Sequence, residues 1–226
     1  MSKKDIKGIK LPAQFRGDRS VQSVSKHNCK AFTVLGSEAG VRIQADSHLE
    51  LVNLFVLNAK LDVEEIFDQV LFVWRDQIGK LHKHFFDYVA RLRNGKKIGF
   101  AVKPAFRAES PDFLKKMQEI AWFAESSGFC SEVRILTEHS CDRIEQRNAQ
   151  LFWAVREPND DADRRARRVA SDLHGTTSLR DLSIQTEAGA EGYRALVRLI
   201  VVQHLIPLKH EIITPKTLVQ KKEVFQ

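Results

Sequence analysis

The chain has 226 residues, 43% of them hydrophobic and 29% charged, which is globular composition sufficient for one medium domain and a small one. Lys and Arg number 36 against 29 Asp and Glu; the net charge of +7 and pI of about 9.4 are compatible with nucleic acid as partner. The three cysteines (Cys29, Cys130, Cys141) are odd in number and widely spaced, which argues against a disulfide framework or zinc site and for a reducing, cytoplasmic compartment. No apolar run reaches the ~18 residues of a membrane span, and the Lys-rich N-terminus lacks the apolar segment of a secretory signal.

Residues 1–26 are polar and basic, with Lys3, Lys4, Lys7, Lys10, Arg16 and Arg19 around Gly8, Pro12 and Gly17. They read as a flexible arm, either following a phosphate backbone or simply solvated. Ser47 and Glu50 ahead of Leu51, Leu54, Phe55 and Leu57 mark a helix start. Residues 69–75 suit a buried strand, and a hairpin follows. Ser110-Pro111-Asp112 opens a helix that Gly128 closes. Residues 132–137 form the next strand, and 142–155 a helix with Ile144, Leu151, Phe152 and Val155 on its apolar side. The order is that of a mixed sheet flanked by helices. Residues 157–163 read as an acidic linker. Beyond it lie short helical signals at 164–173, 178–186 and 191–205, then a strand or wing near Pro207. These suggest a helix-turn-helix or winged-helix module. The division expected is an arm at 1–26, an α/β domain at 27–157 and a small helical domain at 158–226.

The hairpin spans 84–103 and turns at Asn94-Gly95, the strongest short-range hairpin signal. A two-residue turn would mix charges with core residues on one face. A three-residue loop, Arg93-Asn94-Gly95, pairs Phe86 with Val102, Tyr88 with Phe100 and Ala90 with Ile98, leaving one face wholly apolar. In that register Asp87 lies opposite Ala101, and Lys103 shares its face two residues along.

A carboxylate beside a lysine on a sheet, with a glutamate on a preceding helix, suits metal-dependent phosphodiester chemistry. Each residue also has a plainer role: Asp87 as a solvated strand charge, Lys103 as a strand-end gatekeeper, and Glu50 as the partner of the N-cap amide in a Ser47 capping box. His82 and His84 share a face at a chelating spacing, although a hydrogen-bonded core histidine fits His84 better. His139 could line the same site. Arg164, Arg165, Arg167 and Arg168 form a basic cluster that either contacts DNA phosphates or pairs with Asp160, Asp161 and Asp163. Trp74, Trp122 and Trp153 read as core. No Gly-rich phosphate loop, Cys/His metal spacing or serine nucleophile elbow is present.

Glu50, then Gln69 leading an aromatic strand, His84-x-x-Asp87, the Asn-Gly hairpin and Ala101-Val102-Lys103-Pro104 together resemble the TnsA-type endonuclease subunits of heteromeric transposases. These belong to the restriction-endonuclease-like PD-(D/E)xK superfamily. The resemblance covers roughly residues 45–155, and the segment from Gly192 looks like the winged-helix-type domain that follows in such proteins. It implies a restriction-endonuclease-like α/β fold, with Glu50, Asp87 and the Val102 carbonyl as ligands of Mg²⁺ or Mn²⁺ and Lys103 as the catalytic lysine. It further implies double-stranded DNA as substrate, cut at the 5′ ends of a mobile element. A DDE-type transposase subunit and an AAA+ ATPase regulator would be the partners. The sequence departs from the pattern at Ala101, where the family usually has Glu or Gln. Three readings follow: a transposase endonuclease subunit, a DNA-binding or assembly protein that keeps the fold without cutting, and a restriction- or repair-type nuclease.

Overall fold

The Asn94-Gly95 turn closes with three loop residues. Gly95 sits at φ +82°, the left-handed region that glycine enters without steric cost. Its N–H donates to the Leu92 carbonyl at 2.9 Å, while Leu92 N–H donates to Lys96 O at 2.8 Å and Lys96 N–H to Asn94 Oδ1 at 3.1 Å. This turn sets β4 (Leu81–Leu92) on β5 (Lys97–Val102) with Tyr88 opposite Phe100 and Ala90 opposite Ile98, the register the core pattern requires.

The computed structural model describes residues 11–19 and 30–222. Cys29 and the first ten residues of the arm, with Lys3, Lys4, Lys7 and Lys10, lie outside them. Contacts divide the chain into residues 1–142 and 143–226. The first unit is α/β, with a mixed four-stranded sheet ordered β3-β4-β5-β6, where β3 is Val63–Arg75 and β6 is Glu132–Leu136. β6 runs parallel to β5 and the other neighbours are antiparallel. The flanking helices are α1 (His48–Asn58), short α2 (Ala105–Ala108) and α3 (Pro111–Ser126), capped by Ser110. A hairpin of β1 (Ala31–Leu35) and β2 (Val41–Ala45) precedes α1. β3 begins six residues earlier than expected because its charges are paired: Glu64 and Glu65 both reach Arg91, at 2.8 and 2.6 Å.

The expectation of one wholly apolar face fails at its end. One cluster contains both Phe86 and Val89, packed with Ala101 and with Met117, Ile120 and Ala124 of α3. Phe67 and Val70 of β3 pack on the same cluster. In each strand the two residues are three apart, so strict alternation breaks at 68–69 and again at 87–88. Gln69 is held at φ +49° in the first break.

The arm is not free over its described part. Ala13 donates to Gly40 O at 2.9 Å and accepts from Arg42 at 3.0 Å. Asp18 N–H donates to Gln69 O, and Leu71 N–H to Asp18 Oδ2 at 2.8 Å. Arg16 pairs with Glu65 at 2.7 Å and lies over Phe67, while Arg19 lies over Phe85. Residues 11–19 therefore satisfy β3 edge groups that would otherwise be open.

The second unit begins fifteen residues earlier than the acidic stretch suggested. α4 (Arg143–Ala154) places Leu151 and Phe152 on a core with Val155, Ala166, Leu182 and Leu196. α5 (Asp160–Ser171) starts within the expected linker: Asn159 caps it through Ala162 N–H, and its acids fill the positive first turn. α6 (Leu179–Gln185) and α7 (Gly189–Val201) follow, with a small sheet ordered β7-β9-β8 from Thr176–Ser178, Leu218–Lys221 and Leu205–Pro207. Trp74 is core, stacked on Phe72. Trp122, expected there, is 61% exposed on α3, and Trp153 is half-buried under the Arg156 guanidinium. No helix among the described residues is long and apolar enough to cross a membrane.

A methyl group added at Gly17 would lie 2.3 Å from the Asp68 carbonyl oxygen. Gly17→Ala should lift the strap and lower stability by about 1–3 kcal/mol, read as a lower urea midpoint. An unchanged midpoint would show that the strap contributes nothing.

Candidate active site

Glu50 is placed by its own helix start. Ser47 caps α1 by accepting from Glu50 N–H at 3.1 Å. The Glu50 carboxylate does not return to the cap amide as expected. Oε2 accepts from Asp46 N–H at 2.7 Å, one residue earlier, and Oε1 from the Ser47 hydroxyl at 3.0 Å. Glu50 is 5% exposed. Burial first, and the nearby Asp87 charge second, push its carboxyl up to about 7.

Asp87 stands where β4 and β5 part. Backbone pairing runs as far as Tyr88 and Phe100. Beyond it, Val102 N–H donates to Asp87 Oδ2 at 2.7 Å instead. Lys103 Nζ lies 3.4 Å from the same oxygen and donates to the Val102 carbonyl at 2.9 Å. Burial raises the Asp87 carboxyl, and the Lys103 charge works against it. Lys103 is the open end of the pair, its side chain 37% exposed against 13% for Asp87. Lys103 N–H bonds Leu136 O on β6, and Pro104 turns the chain into α2. The structure thus brings Glu50, Asp87, Val102 and Lys103 together.

Three further groups at this place escaped the sequence reading. Tyr88 is fully buried, and its hydroxyl has no hydrogen-bond partner among the described residues. Burial and the charges of Glu50, Asp87, Asp68 and Asp46 hold that phenol well above its usual range. Asp68, also fully buried, accepts from Gln44 N–H at 3.1 Å and is pushed up by burial. Asp46 pairs with Arg19 at 2.6 Å. The available signal was Asp68-Gln69, two polar residues inside an otherwise apolar strand. Ala101 contributes no oxygen; it is 2% exposed and packed in the α3-side cluster. Among the described residues no group of three or more His, Cys, Asp or Glu is arranged to hold a metal ion.

The remaining candidates lie elsewhere or are committed. His82 Nε2 is 2.8 Å from Asp76 Oδ2, and its ring stacks on Trp74. His84 is pushed down to about 4 by burial and by Lys116 and Lys103, so it is neutral near pH 7. Its buried Nε2 has no partner among the described residues, contrary to the hydrogen bond expected of it. His139 is exposed after β6. In the second unit Arg164 and Arg165 both reach Asp161, at 2.5 and 2.8 Å. Asp163 pairs with Arg198 instead, and Arg167 and Arg168 are exposed with no ion pair among the described residues. No family model matches the chain, and no curated protein matches it in sequence.

A carboxyl that titrates near 7 when folded and near 4.5 when unfolded binds more protons in the folded state between those values. It destabilises the fold as pH rises through that window. Glu50→Gln should therefore be more stable than the native chain at pH 8, by up to about 3 kcal/mol. The gain should shrink to nothing below pH 4.5. Thermal unfolding of both proteins across this range measures it; a gain that does not change with pH would exclude the ionised buried carboxylate.

Proposed function

We propose that this chain is a metal-dependent DNA endonuclease of the PD-(D/E)xK kind, acting as a TnsA-like transposase subunit at the 5′ ends of a mobile element. The observation that carries the reading is the Lys103 ammonium 3.4 Å from Asp87, with Glu50 close enough for its carboxyl to feel the Asp87 charge. The first unit then reads as a restriction-endonuclease-like domain. The strand and helix order of the second, with its β7-β9-β8 sheet, supports a winged-helix-like one. Double-stranded DNA would be the substrate. A DDE-type transposase and an AAA+ ATPase would be the cytoplasmic partners, on the strength of the resemblance alone.

The donor set fits a hard divalent cation. Glu50, Asp87 and the Val102 carbonyl offer oxygen only, and two carboxyls each raised by burial, with the Asp87 charge raising Glu50 further, would be relieved by a positive charge between them. Bound Mg²⁺ or Mn²⁺ would polarise the phosphoryl oxygen and lower the pKa of a water. Lys103, the exposed member, would stabilise negative charge developing on the phosphate. Its hydrogen bond to the Val102 carbonyl holds it at the mouth of the site.

A second reading, a DNA-binding or assembly protein that does not cut, is favoured by one observation. Ala101 is spent on the core, which leaves only two carboxylates in the first ligand set.

Incubating the protein with supercoiled plasmid and Mn²⁺ should give nicked product. Asp87→Asn and Lys103→Ala should each lower the rate about 100-fold or more while remaining folded by circular dichroism. Calorimetric Mn²⁺ affinity should rise as pH increases through 7, since Glu50 must lose its proton to bind. Equal cutting by the variants would dismiss the site; no Mn²⁺ binding at millimolar metal would favour the second reading.

A further inference from the structure

Helices α6 and α7 are joined by Thr186-Glu187-Ala188. In a helix-turn-helix the second helix ordinarily enters the major groove and reads base edges. Here α7 is occupied by its own unit. Ala195, Leu196, Val197, Leu199 and Ile200 are buried. Arg198 donates to Asp163 at 2.8 Å and to Val155 O at 3.0 Å. Arg194 donates to Ala154 O at 2.9 Å and pairs with Glu191. Both cations of the helix are thus engaged within the unit, which leaves α7 poorly equipped to read bases.

One concentration of positive charge without acid partners among the described residues lies away from α7. A cleft of about 300 Å³ lies against α5 and β9, lined by Arg167, His204, Lys221 and Lys222 over Leu199 and Gln203, with no carboxylate among its described lining residues. Lys221 Nζ donates to the Ser171 carbonyl at 2.7 Å and Lys222 Nζ to Gln203 Oε1 at 2.8 Å. Both acceptors are neutral, so the ammonium groups are positioned and their charge is not cancelled. α5 and α7 end nearby, at Ser171 and Val201. Two helix C-termini supply roughly one negative charge in all, well short of balancing Arg167, Arg168, Lys221 and Lys222. Arg164, already paired with Asp161, Arg167 and Arg168 share one ridge on α5 at helical i, i+3 and i+4 spacing, so that the last two carry its unpaired charge. From Arg164 to Ser171 that ridge is about 10 Å long. A DNA strand places one phosphate per roughly 3.4 Å of axis, so an extended polyanion uses the ridge and cleft together, whereas a single small anion fills only the cleft.

We propose that the second unit binds duplex DNA through phosphate contacts on the α5–β9 face, chiefly Arg167, Arg168, Lys221 and Lys222, and holds it without reading bases. The inference rests on the chain being a DNA-binding protein and not on its cutting. The test uses the full chain in EDTA with two fluorescent 30-base-pair duplexes of unrelated sequence, followed by anisotropy between 50 and 200 mM salt. Both duplexes should bind within about twofold of each other. The double variant Arg167→Gln/Lys222→Gln should lose about tenfold in affinity and reduce the salt slope by about 2, one per lost phosphate contact. It should keep native Mn²⁺ binding, which separates this failure from failure of the cutting site. Arg194→Gln on α7 should bind as wild type. A double variant that binds normally, a strong preference for one duplex, or a larger loss in Arg194→Gln would each overturn the proposal. So would displacement of DNA by inorganic phosphate beyond its ionic strength, which would mark a small-anion site.

Discussion

The bond on which the first unit's geometry depends is the 2.7 Å contact from Val102 N–H to the Asp87 carboxylate. Backbone pairing between β4 and β5 extends to Tyr88 and Phe100, so without Asp87 the Val102 amide would be a buried donor with no partner. Leaving such a group unsatisfied costs about 1–3 kcal/mol. One carboxylate oxygen therefore ends the ladder and lies beside Lys103 where that residue leaves the sheet, and the Asp87 charge adds to the burial that keeps the Glu50 carboxyl high. A structural duty and the proposed chemical one fall on the same atom.

That arrangement requires the sheet to bend. Phe67 with Val70 on β3, and Phe86 with Val89 on β4, keep apolar side chains in one cluster across two breaks in alternation that face each other. The breaks let Asp68, Gln69, Asp87 and Tyr88 occur in mid-sheet without displacing core residues. Their cost is visible in the left-handed backbone at Gln69 and in the buried Tyr88 hydroxyl without a partner among the described residues. The strap at 11–19 offsets part of it, bonding Gln69 O and Leu71 N–H on either side of the break. Strain of this kind concentrates where a structure holds reactive groups apart from their preferred surroundings.

The hairpin register, the caps at Ser47 and Ser110 and the proximity of Asp87 to Lys103 were legible in the sequence, because each follows from a local rule acting on adjacent residues. The paired breaks were not. They need two strands to slip in concert, and a period-2 pattern read along one strand sees Phe86, Tyr88 and Ala90 as a single face. β3 was read short because Glu64 and Glu65 look like a loop until Arg91, distant in sequence, neutralises them. Asp160–Asp163 looked like a linker for the opposite reason: acids at a helix N-terminus are stabilised by the helix itself. The plainer reading of Glu50 missed by one amide: its carboxylate accepts from Asp46 N–H and the Ser47 hydroxyl and not from the cap amide, and those bonds hold it where it feels the Asp87 charge.

The net charge of +7 conceals two unlike populations. The first unit collects Asp46, Glu50, Asp68 and Asp87 in and around a buried place where, among the described residues, Lys103 and Arg19 answer them. The second unit spends its buried carboxylate, Asp163, on Arg198 and leaves Arg167, Arg168, Lys221 and Lys222 facing solvent without acid partners among the described residues. Neither imbalance helps stability: buried carboxyls with raised pKa values oppose folding at neutral pH, and clustered cations repel. A fold retains such costs where binding relieves them. On the proposed reading, a divalent cation would relieve the first and a phosphate backbone the second, and DNA accompanied by Mg²⁺ would bring both.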